Sequence, residues 1–464
     1  MRNKYIDLIK QTFDFPQEGF DVIDNELYFH DIPLMQIIKQ YGTPLRITYL
    51  PKIGQQIQKA KKYFNVAMAK VDYKGTYTYC YCTKSSHFSF ILEEVLKNDV
   101  HIETSSTFDI EILRELHSQG ELKSNTYVVC NGYKTEAYKQ NIIDLINDEG
   151  FTNVIPVLDN KFEVDFYEEN LKKSNKIAIR IASEEEPNFQ FYTSRLGIRY
   201  KDIKDFYIQR LQNNPKFELK MLHFFINTGI KDSIFYWSEL QKCLGVYVEL
   251  RKICPTLDSL NIGGGLPFKN SLGFEFDYEY IIEEIINQIK QYCEKNDVPE
   301  PNIFTEFGSY TVSESGAFIY SILEQKQQND TELWNMIDSS FITTIPDIWG
   351  INQRFISMAI NNWDVEYQRV NLGGLTCDSL DYYNAEAHLN SLFLPKFEKT
   401  RPQYIGFFHT GAYQESLSGY GGTKHCLIPS PKHVLIDRDE NGEYYTRLFA
   451  KEQSYKSMLK TLGY

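Results

Sequence analysis

The sequence from residue 76 to residue 84 reads Thr-Tyr-Thr-Tyr-Cys-Tyr-Cys-Thr-Lys. Six of its first eight residues are aromatic or β-branched, which is typical of a pleated strand. Lys84 follows this strand, and an apolar pattern of helical period then runs from Phe88 to Leu96. A lysine at such a strand end can extend its stem to reach water. Alternatively, its amine is desolvated and acts as a nucleophile toward carbonyl groups.

Strand-like runs alternate with amphipathic helical patterns from this stretch onward. The eight runs lie at residues 77–84, 100–103, 126–130, 153–158, 176–181, 221–226, 259–262 and 302–306. Eight strand–helix repeats over roughly 230–250 residues predict a (β/α)8 TIM barrel. The alternative, an open doubly wound sheet, would have a glycine-rich turn after its first strand. Here Lys84-Ser-Ser occupies that position, so we favour the barrel.

The strand–helix alternation stops near residue 325, and strand and turn patterns follow. Asn441-Gly442, between two strand-like runs, is typical of a two-residue hairpin turn. We therefore predict three segments. Residues 1–50 contribute strands and a helix that pack with the β domain, residues 51–325 form the barrel, and residues 326–464 form a β-rich domain.

Composition restricts the class of protein. Of the 464 residues, 62 are Asp or Glu and 49 are Lys or Arg, so the net charge of −13 argues against nucleic acid or an anionic membrane as partner. The 8 cysteines contain no CxxC pair, and we predict no disulfide framework and no metal site. No apolar run approaches the about 18 residues of a membrane span, so a cytoplasmic protein is expected.

Catalytic groups of such barrels lie at the carboxyl ends of the strands. Three of these ends form a chemical set: Lys84, Gly263–Gly265 and Glu306. Successive glycines let backbone amides approach a phosphate closely, although a tight turn explains them as well. A buried Glu306 needs a cationic partner. Lysine, phosphate loop and acid match the aldehyde, phosphate and ring nitrogen of pyridoxal 5′-phosphate (PLP), which we predict as the cofactor.

Seven motifs resemble those of the barrel-fold, alanine racemase-like PLP decarboxylases of basic amino acids. This group includes ornithine, diaminopimelate and biosynthetic arginine decarboxylases. The motifs are Tyr81-Cys-Thr-Lys84, His101–Ser106, Leu222–Thr228, Asn261–Gly265, Glu306–Ser309, Thr376–Asp381 and Gly411–Tyr413. The resemblance covers nearly the whole chain. Two further stretches, Pro346–Gly350 and Gly406–Glu415, resemble biosynthetic arginine decarboxylase in particular.

The resemblance implies a role for each matched residue. The implied catalytic residues are Lys84, which binds the cofactor aldehyde, Glu306, which binds the ring nitrogen, and Cys377, which acts across a homodimer interface. The implied cofactor-binding residues are Lys84, Glu103, Ser106, Arg180, Phe225, Thr228, Gly263, Gly264, Gly265, Glu306 and Tyr413. The implied substrate-binding residues are Asp378 and, as weaker candidates, Asp338, Asp347 and Asp381. For Arg180, a structural pairing with Glu103 is equally open.

Two positions depart from the family pattern. Phe225 stands where a histidine usually stacks on the cofactor ring, and Ser309 stands where an arginine usually binds the phosphate. Thr228 and Tyr413 would therefore bind more of the phosphate, together with the glycines. We interpret His223, on an apolar strand, as a core histidine.

The resemblance implies decarboxylation of a small cationic L-amino acid, above all arginine to agmatine and CO2 in polyamine biosynthesis, by a homodimer with shared active sites. Ornithine and diaminopimelate remain alternative substrates, the latter because Arg354 and Arg369 lie near the Cys377 motif in sequence. Alternatives of other classes are an amino-acid racemase and a non-catalytic regulator of the same fold. A regulator would be expected to lack Lys84 or Cys377, and both are present.

Overall fold

The computed structural model of the protein describes residues 3–187, 190–386 and 389–464. The chain divides into two compact units. The barrel unit comprises Gly54–Pro267 and Phe276–Thr311, and the β-rich unit comprises Phe268–Glu275, Val312–Tyr464 and the described part of Met1–Ile53. The short segment Phe268–Glu275 belongs to the β-rich unit, and its Leu272 is part of that unit's apolar core.

The barrel unit contains a closed barrel of eight parallel strands, as the alternation of strand and helix patterns predicts. In chain order the strands are Tyr77–Cys82, His101–Thr104, Val128–Cys130, Val154–Leu158, Asn175–Arg180, Phe217–His223, Ser259–Asn261 and Asn302–Phe307. The eighth strand closes the barrel on the first, with Phe307 beside Tyr81. On the other side of the first strand, Cys82 lies beside Glu103 of the second. The prediction of a (β/α)8 barrel is confirmed.

The sixth strand differs from the sequence prediction. It ends at His223, so Phe224 to Ile226 follow the strand and do not belong to it. This stretch is apolar because Phe224 and Ile226 are buried at the end of the barrel, not because it pairs in the sheet. Phe225 therefore lies in the connection after the strand, on the same side of the barrel as the other strand ends.

Helices connect the barrel strands, and side chains cap the amino ends of four of them. They are Pro51–Lys70, Ser89–Leu96, Thr107–Ser118, Glu136–Asn147, Glu163–Asn170, Tyr200–Phe206, Ile234–Arg251, Tyr278–Lys295 and the short Ser309–Val312. Ser106 forms a capping box with Asp109 at the start of Thr107–Ser118. Thr135, Ser233 and Asp277 accept hydrogen bonds from backbone N–H groups at the starts of three other helices. These caps satisfy N–H groups that a helix cannot pair internally.

The β-rich unit is built on a ten-stranded sheet and a three-stranded sheet. The strands of the large sheet are Leu45–Tyr49, Gly316–Gln327, Leu333–Ile337, Ile356–Ala359, Tyr367–Gly373, Tyr382–Tyr383, Leu392–Pro395, Tyr404–Phe408, Lys432–Arg438 and Tyr444–Ala450. The small sheet contains Phe20–Ile23, Glu26–Phe29 and Ile32–Pro33. Leu45–Tyr49 pairs antiparallel with Gly316–Gln327 and parallel with Lys432–Arg438, so an amino-terminal strand is part of the large sheet.

Short helices and turns complete this unit. The helices are Tyr5–Thr12, Leu34–Tyr41, Phe341–Thr344, Asp347–Gly350, Gln414–Leu417 and Tyr455–Leu462. The predicted hairpin forms, but its last strand pair joins Arg438 to Tyr444, so residues 439–443 connect the strands instead of the two-residue turn expected. Gly442 adopts a φ of 83° in this connection. Across the described residues of both units, no helix combines the length and apolar character of a membrane span.

Candidate active site

Lys84 lies directly after the first barrel strand, in a single turn formed by Thr83–Ser85. Its Nζ donates a hydrogen bond to Oε2 of Glu103 over 2.6 Å. Glu103 is fully buried, whereas the Lys84 side chain is 42% exposed. The hydroxyl of Ser85 donates to the Cys82 carbonyl and holds the turn on the strand. A buried carboxylate therefore orients an amine that stays accessible to a ligand.

Glu306, near the end of the eighth strand, is buried and surrounded by polar groups. Its Oε1 accepts hydrogen bonds from Nδ2 of Asn131 over 2.8 Å and from Nδ2 of Asn261 over 2.6 Å. Its Oε2 lies 3.2 Å from Nε2 of His223. Burial alone raises the pKa of the Glu306 carboxyl, but the nearby His223 lowers it. With Lys84 and Asn131 acting in the same direction as His223, this pKa lies below its usual range and the group is ionised at neutral pH.

Asn131 joins these two carboxylates into one network. The Nδ2 that donates to Glu306 also donates to Oε1 of Glu103 over 3.1 Å. A continuous path of hydrogen bonds thus runs from Lys84 through Glu103 and Asn131 to Glu306. Among the described residues, the buried Oδ1 of Asn131 has no hydrogen-bond partner.

Gly263–Gly265 follow the seventh strand and pack against backbone on two sides. Gly263 and Gly265 adopt φ values of 70° and 89°, which side-chain-bearing residues rarely adopt. A Cβ on Gly264 would lie 2.4 Å from the carbonyl oxygen of Glu306. A Cβ on Gly265 would lie 2.6 Å from Cα of Gly229, in the loop after the sixth strand. Only glycines fit here, and they leave bare backbone at the strand ends.

Arg180 is the last residue of the fifth strand, and its guanidinium lies 6.0 Å from the centre of the Phe225 ring. Burial lowers the pKa of this guanidinium, and the carboxylates of Glu306, Asp159 and Glu103 oppose that effect. Glu103 is bonded to Lys84, and the part of the chain that the structure describes contains no ion pair between Glu103 and Arg180. The pairing considered from the sequence is therefore wrong. The buried Nε of Arg180 has no partner within the described ranges, which leaves a donor for a ligand.

The structure gives Ser106 a role in capping a helix, and the cofactor contact inferred from the sequence remains a prediction. Its hydroxyl accepts a hydrogen bond from the backbone N–H of Asp109 over 3.4 Å, and the Asp109 carboxylate accepts one from the N–H of Ser106 over 3.0 Å. This reciprocal arrangement caps a helix. Thr228 lies in the turn after the sixth strand, and Ser309 begins the short helix after the eighth, so both lie beside strand ends as the motifs imply.

Tyr413, in the β-rich unit, precedes the short helix Gln414–Leu417 with a φ of 67°. A bulky residue in this left-handed region costs about 1–3 kcal/mol and persists only where its surroundings enforce it. Such strain is concentrated at functional sites. The cofactor contact inferred for Tyr413 from its motif remains a prediction, and the strain is consistent with it.

Cys377 and Asp378 lie on a surface turn of the β-rich unit. The Cys377 side chain is exposed, and its Sγ lies 3.6 Å from Sγ of Cys426. Hydrogen bonding with Cys426 raises the pKa of the Cys377 thiol, so this group carries a proton at neutral pH. Oδ1 of Asp378 accepts a hydrogen bond from the N–H of Leu380 over 2.8 Å.

The three weaker candidates for substrate binding differ in their environment. Asp381 is 4% exposed, and its carboxylate accepts hydrogen bonds from the N–H of Phe341 and from both the N–H and the hydroxyl of Thr376. Asp381 organises the turn that carries Cys377, and its substrate contact remains a prediction. Burial raises the pKa values of Asp338 and Asp347. Asp338 accepts a hydrogen bond from the N–H of Ser321, and Asp347 accepts one from the side-chain amide of Gln414.

The barrel residues fit PLP. An ionised, buried Glu306 suits a protonated ring nitrogen, and the accessible Nζ of Lys84 suits an aldehyde. The glycine backbone at Gly263–Gly265 suits a phosphate. The Nε of Arg180 adds a buried hydrogen-bond donor that has no acceptor among the described residues.

His223 is the site residue that sequence reasoning missed. It is buried, as a core histidine is expected to be, and it also contacts Glu306. The available signal was its position as the last residue of the sixth strand, where barrel side chains face ligands. Asn261 begins the motif Asn261–Gly265, of which the sequence analysis assigns a cofactor role only to the glycines.

The comparison with protein families gives a match over residues 52–313, to the family described as "Pyridoxal-dependent decarboxylase, pyridoxal binding domain". The chain is similar to the biosynthetic arginine decarboxylase of Prochlorococcus marinus strain MIT 9215, with 24% identity over 92% of this chain and 83% of the relative. It is also similar to that of Bacteroides thetaiotaomicron, with 20% identity over 87% of this chain and 81% of the relative.

Solved structures show the same fold. The biosynthetic arginine decarboxylase of Campylobacter jejuni superposes with a TM-score of 0.83 at 20% identity, over 100% of this chain and 91% of that one. A diaminopimelate decarboxylase from M. jannaschii, solved with L-lysine, gives a TM-score of 0.76 at 19% identity, over 95% and 96% of the two chains.

The matched region includes Lys84, Gly263–Gly265 and Glu306, and so contains the hydrogen-bonded network described above. Fold, site chemistry and family match agree on the same cofactor. The chain belongs to the family of pyridoxal-dependent decarboxylases, and its barrel is the pyridoxal-binding domain.

Proposed function

We propose that the protein decarboxylates L-arginine to agmatine and CO2. The observation that carries the reaction type is the network from Lys84 to Glu306, which presents an amine and an ionised acid at the ends of two adjacent barrel strands. Support for arginine comes from the relatives, which are named biosynthetic arginine decarboxylases and match about nine-tenths of the chain. That name also favours a role in polyamine biosynthesis and a cytoplasmic location.

Within the barrel, each residue of the network has a separate task. PLP, when bound, supplies the electron sink for the electron pair that CO2 leaves on Cα. Lys84 would hold the aldehyde through Nζ, which Glu103 orients, and its amine would be placed to move protons beside the substrate. Glu306, held ionised by His223 and Asn131, keeps a proton on the ring nitrogen and so strengthens the sink.

Cys377 is the proposed proton donor to Cα after CO2 has left. Its thiol is exposed on its own subunit, as a group that serves a second subunit must be. We propose a homodimer in which Lys84 and Glu306 of one subunit work with Cys377 and Asp378 of the partner subunit. Two complete sites then form only in the dimer.

Asp378 is the proposed partner of the substrate guanidinium. A guanidinium offers planar pairs of N–H donors that suit bidentate pairing with a carboxylate. The ammonium groups of ornithine and lysine satisfy the charge but not this geometry. Asp347, whose pKa burial raises, is a second carboxylate of the same unit that a cation would stabilise.

Diaminopimelate is the alternative substrate that one observation favours. Arg369 lines a cavity of about 430 Å³ in the β-rich unit together with Ser379, two residues beyond Cys377. An arginine in this place is suited to the distal carboxylate of diaminopimelate.

The test is the ranking of kcat/KM for CO2 release from arginine, ornithine, lysine and diaminopimelate. We expect arginine to lead and Asp378→Asn to lower its kcat/KM by about 10²-fold, because a desolvated charge pair costs about 2–5 kcal/mol when it is truncated. Arg369→Gln should leave arginine turnover unchanged. If diaminopimelate leads and Arg369→Gln abolishes its turnover, the substrate assignment is wrong, although the reaction type stands.

A further inference from the structure

Three metal-binding side chains converge on one surface of the β-rich unit. Cys377 comes from the turn before Asp381, and His425 and Cys426 come from the single helical turn His425–Leu427. The ligand atoms of these three residues all lie within 4.8 Å of one another, and all three side chains are exposed. The spacing of the cysteines in the sequence did not predict this cluster, because 49 residues separate Cys377 from Cys426.

The distance between the two sulfur atoms is compatible with two thiolates bound to one metal ion. Thiolates bound at about 2.3 Å to a tetrahedral zinc ion lie roughly 3.8 Å apart. The observed separation is 3.6 Å, far longer than the about 2.05 Å of a disulfide bond. Two sulfurs and an imidazole nitrogen select zinc-like cations over magnesium or calcium, which prefer oxygen ligands.

Separate anchors hold the two segments that carry these ligands. Asp381 accepts hydrogen bonds from the N–H and the hydroxyl of Thr376, directly before Cys377. On the other segment, the buried Lys424 donates through Nζ to the Thr343 carbonyl over 2.8 Å. Since neither anchor uses a ligand atom, the two segments are positioned before a metal binds.

We propose that Cys377, His425 and Cys426 form a binding site for Zn²⁺, with the fourth coordination position open to water. Binding releases the thiol protons and leaves both sulfurs as thiolates on the ion. One consequence rests on the function proposed above: a Cys377 thiolate bound to zinc has no proton to give to Cα. Zinc at this site therefore inhibits decarboxylation reversibly.

The binding test uses the PLP-loaded enzyme in a phosphine reductant, which keeps both thiols reduced. Zn²⁺ is titrated in competition with a chromophoric chelator, and Co²⁺ serves as a spectroscopic substitute whose thiolate charge-transfer bands report the sulfur ligands. We expect about one ion per chain. His425→Gln and Cys426→Ser should each weaken binding by at least the ~10–100-fold that loss of an outer-shell partner costs.

His117→Gln is the matched control, because this histidine bonds the Leu122 carbonyl elsewhere in the chain and should leave zinc affinity unchanged. Equal zinc affinity in the wild type, His425→Gln and Cys426→Ser would overturn the site, as would Co²⁺ spectra without thiolate bands.

An activity assay distinguishes a failure of the proposed metal site from a failure of the proposed reaction. Zinc should inhibit CO2 release, a chelator should reverse the inhibition, and His425→Gln should retain activity while resisting zinc. If zinc binds through these three residues and leaves activity intact, the metal site stands and the proton-donor role of Cys377 is refuted.

Discussion

The candidate site residues fall into two groups, a rigid group in the barrel unit and a surface group in the β-rich unit, and the two groups are built on different principles. In the barrel unit, Glu103 and Glu306 are buried, and hydrogen bonds fix both carboxylates. In the β-rich unit, Cys377 is exposed, and only the turn beneath it is fixed, through Asp381. The contrast teaches that the residues suited to the cofactor lie in a hydrogen-bonded interior, whereas the residues proposed to contact the substrate lie on a surface turn that is fixed from beneath.

The largest effect is expected for a substitution in the rigid group, at Lys84. Lys84→Ala should lower kcat by at least roughly 10³-fold and abolish the visible absorbance of the bound cofactor, because no other amine replaces Nζ. Borohydride treatment of the wild type should label the peptide that contains Lys84. The matched control is Lys74→Ala, which removes an exposed lysine paired with Asp72 and should keep colour and activity. A coloured, labelled Lys84→Ala variant would show that another residue binds the cofactor.

The second prediction tests whether the rigid group of one subunit acts together with the surface group of another subunit. Lys84→Ala and Cys377→Ala should each be nearly inactive alone. Mixing them should restore up to about a quarter of wild-type activity, since half of the chains enter mixed dimers with one intact site each. Absence of recovery after demonstrated subunit exchange would place both residues in one subunit's site, or exclude Cys377 from the reaction.

The third prediction concerns the charge of Glu306. Glu306→Gln should lower kcat by about 10²-fold, because a neutral amide no longer keeps the ring nitrogen protonated. The variant should still bind PLP through Lys84. A loss of less than threefold would contradict the role of this carboxylate.

The same variant should also differ from the wild type in the pH dependence of its free energy of unfolding, measured without the cofactor. The folded-state pKa of Glu306 lies below its ordinary value of 4.5, so the ionised group stabilises the fold above that pH and the stabilisation is lost as pH falls. The free energy of unfolding of Glu306→Gln should therefore decline less than that of the wild type between about pH 5 and pH 3. Parallel declines would show that the native state does not favour the charged carboxylate.

The fourth prediction concerns a substitution that loosens only the turn carrying the surface group. Asp381→Asn should lower kcat by about 10-fold and stability by about 1–3 kcal/mol, because the amide cannot accept all the hydrogen bonds that the carboxylate accepts. Cofactor absorbance should stay at the wild-type level. Asp364→Asn, at an exposed ion pair with Arg401, is the control. An Asp381→Asn variant of full activity would show that the turn beneath Cys377 tolerates movement.

The smallest expected effect separates a helix cap from a cofactor contact. Ser106→Ala should cost about 0.5–2 kcal/mol of stability and change PLP affinity and kcat by less than about twofold. Ser233→Ala removes an equivalent cap at Ile234–Arg251 and should behave in the same way. A tenfold weaker PLP affinity in Ser106→Ala alone would indicate that Ser106 contacts the cofactor, as its motif implies.

The rigid group and the surface group also differ in how far the sequence predicts them. Strand and helix periodicity reveals which residues are buried and where strands end, so Lys84 and Glu306 could be placed before the structure was known. Periodicity does not reveal partners: it could not pair His223 with Glu306 or separate Glu103 from Arg180. The turn around Cys377 has no period at all, and its internal bonds to Asp381 emerge only in three dimensions.

The contact between Gly229 and Gly265 has a consequence for how enzymes of this design can diversify. Neither residue can accept even a methyl group, since each would place it 2.6 Å from backbone of the other. Mutation therefore cannot enlarge, shrink or recharge this part of the cofactor pocket one side chain at a time. New substrate preferences have to arise on segments with free surface, such as the turn with exposed Leu375 and Leu380, where variation leaves the cofactor chemistry intact.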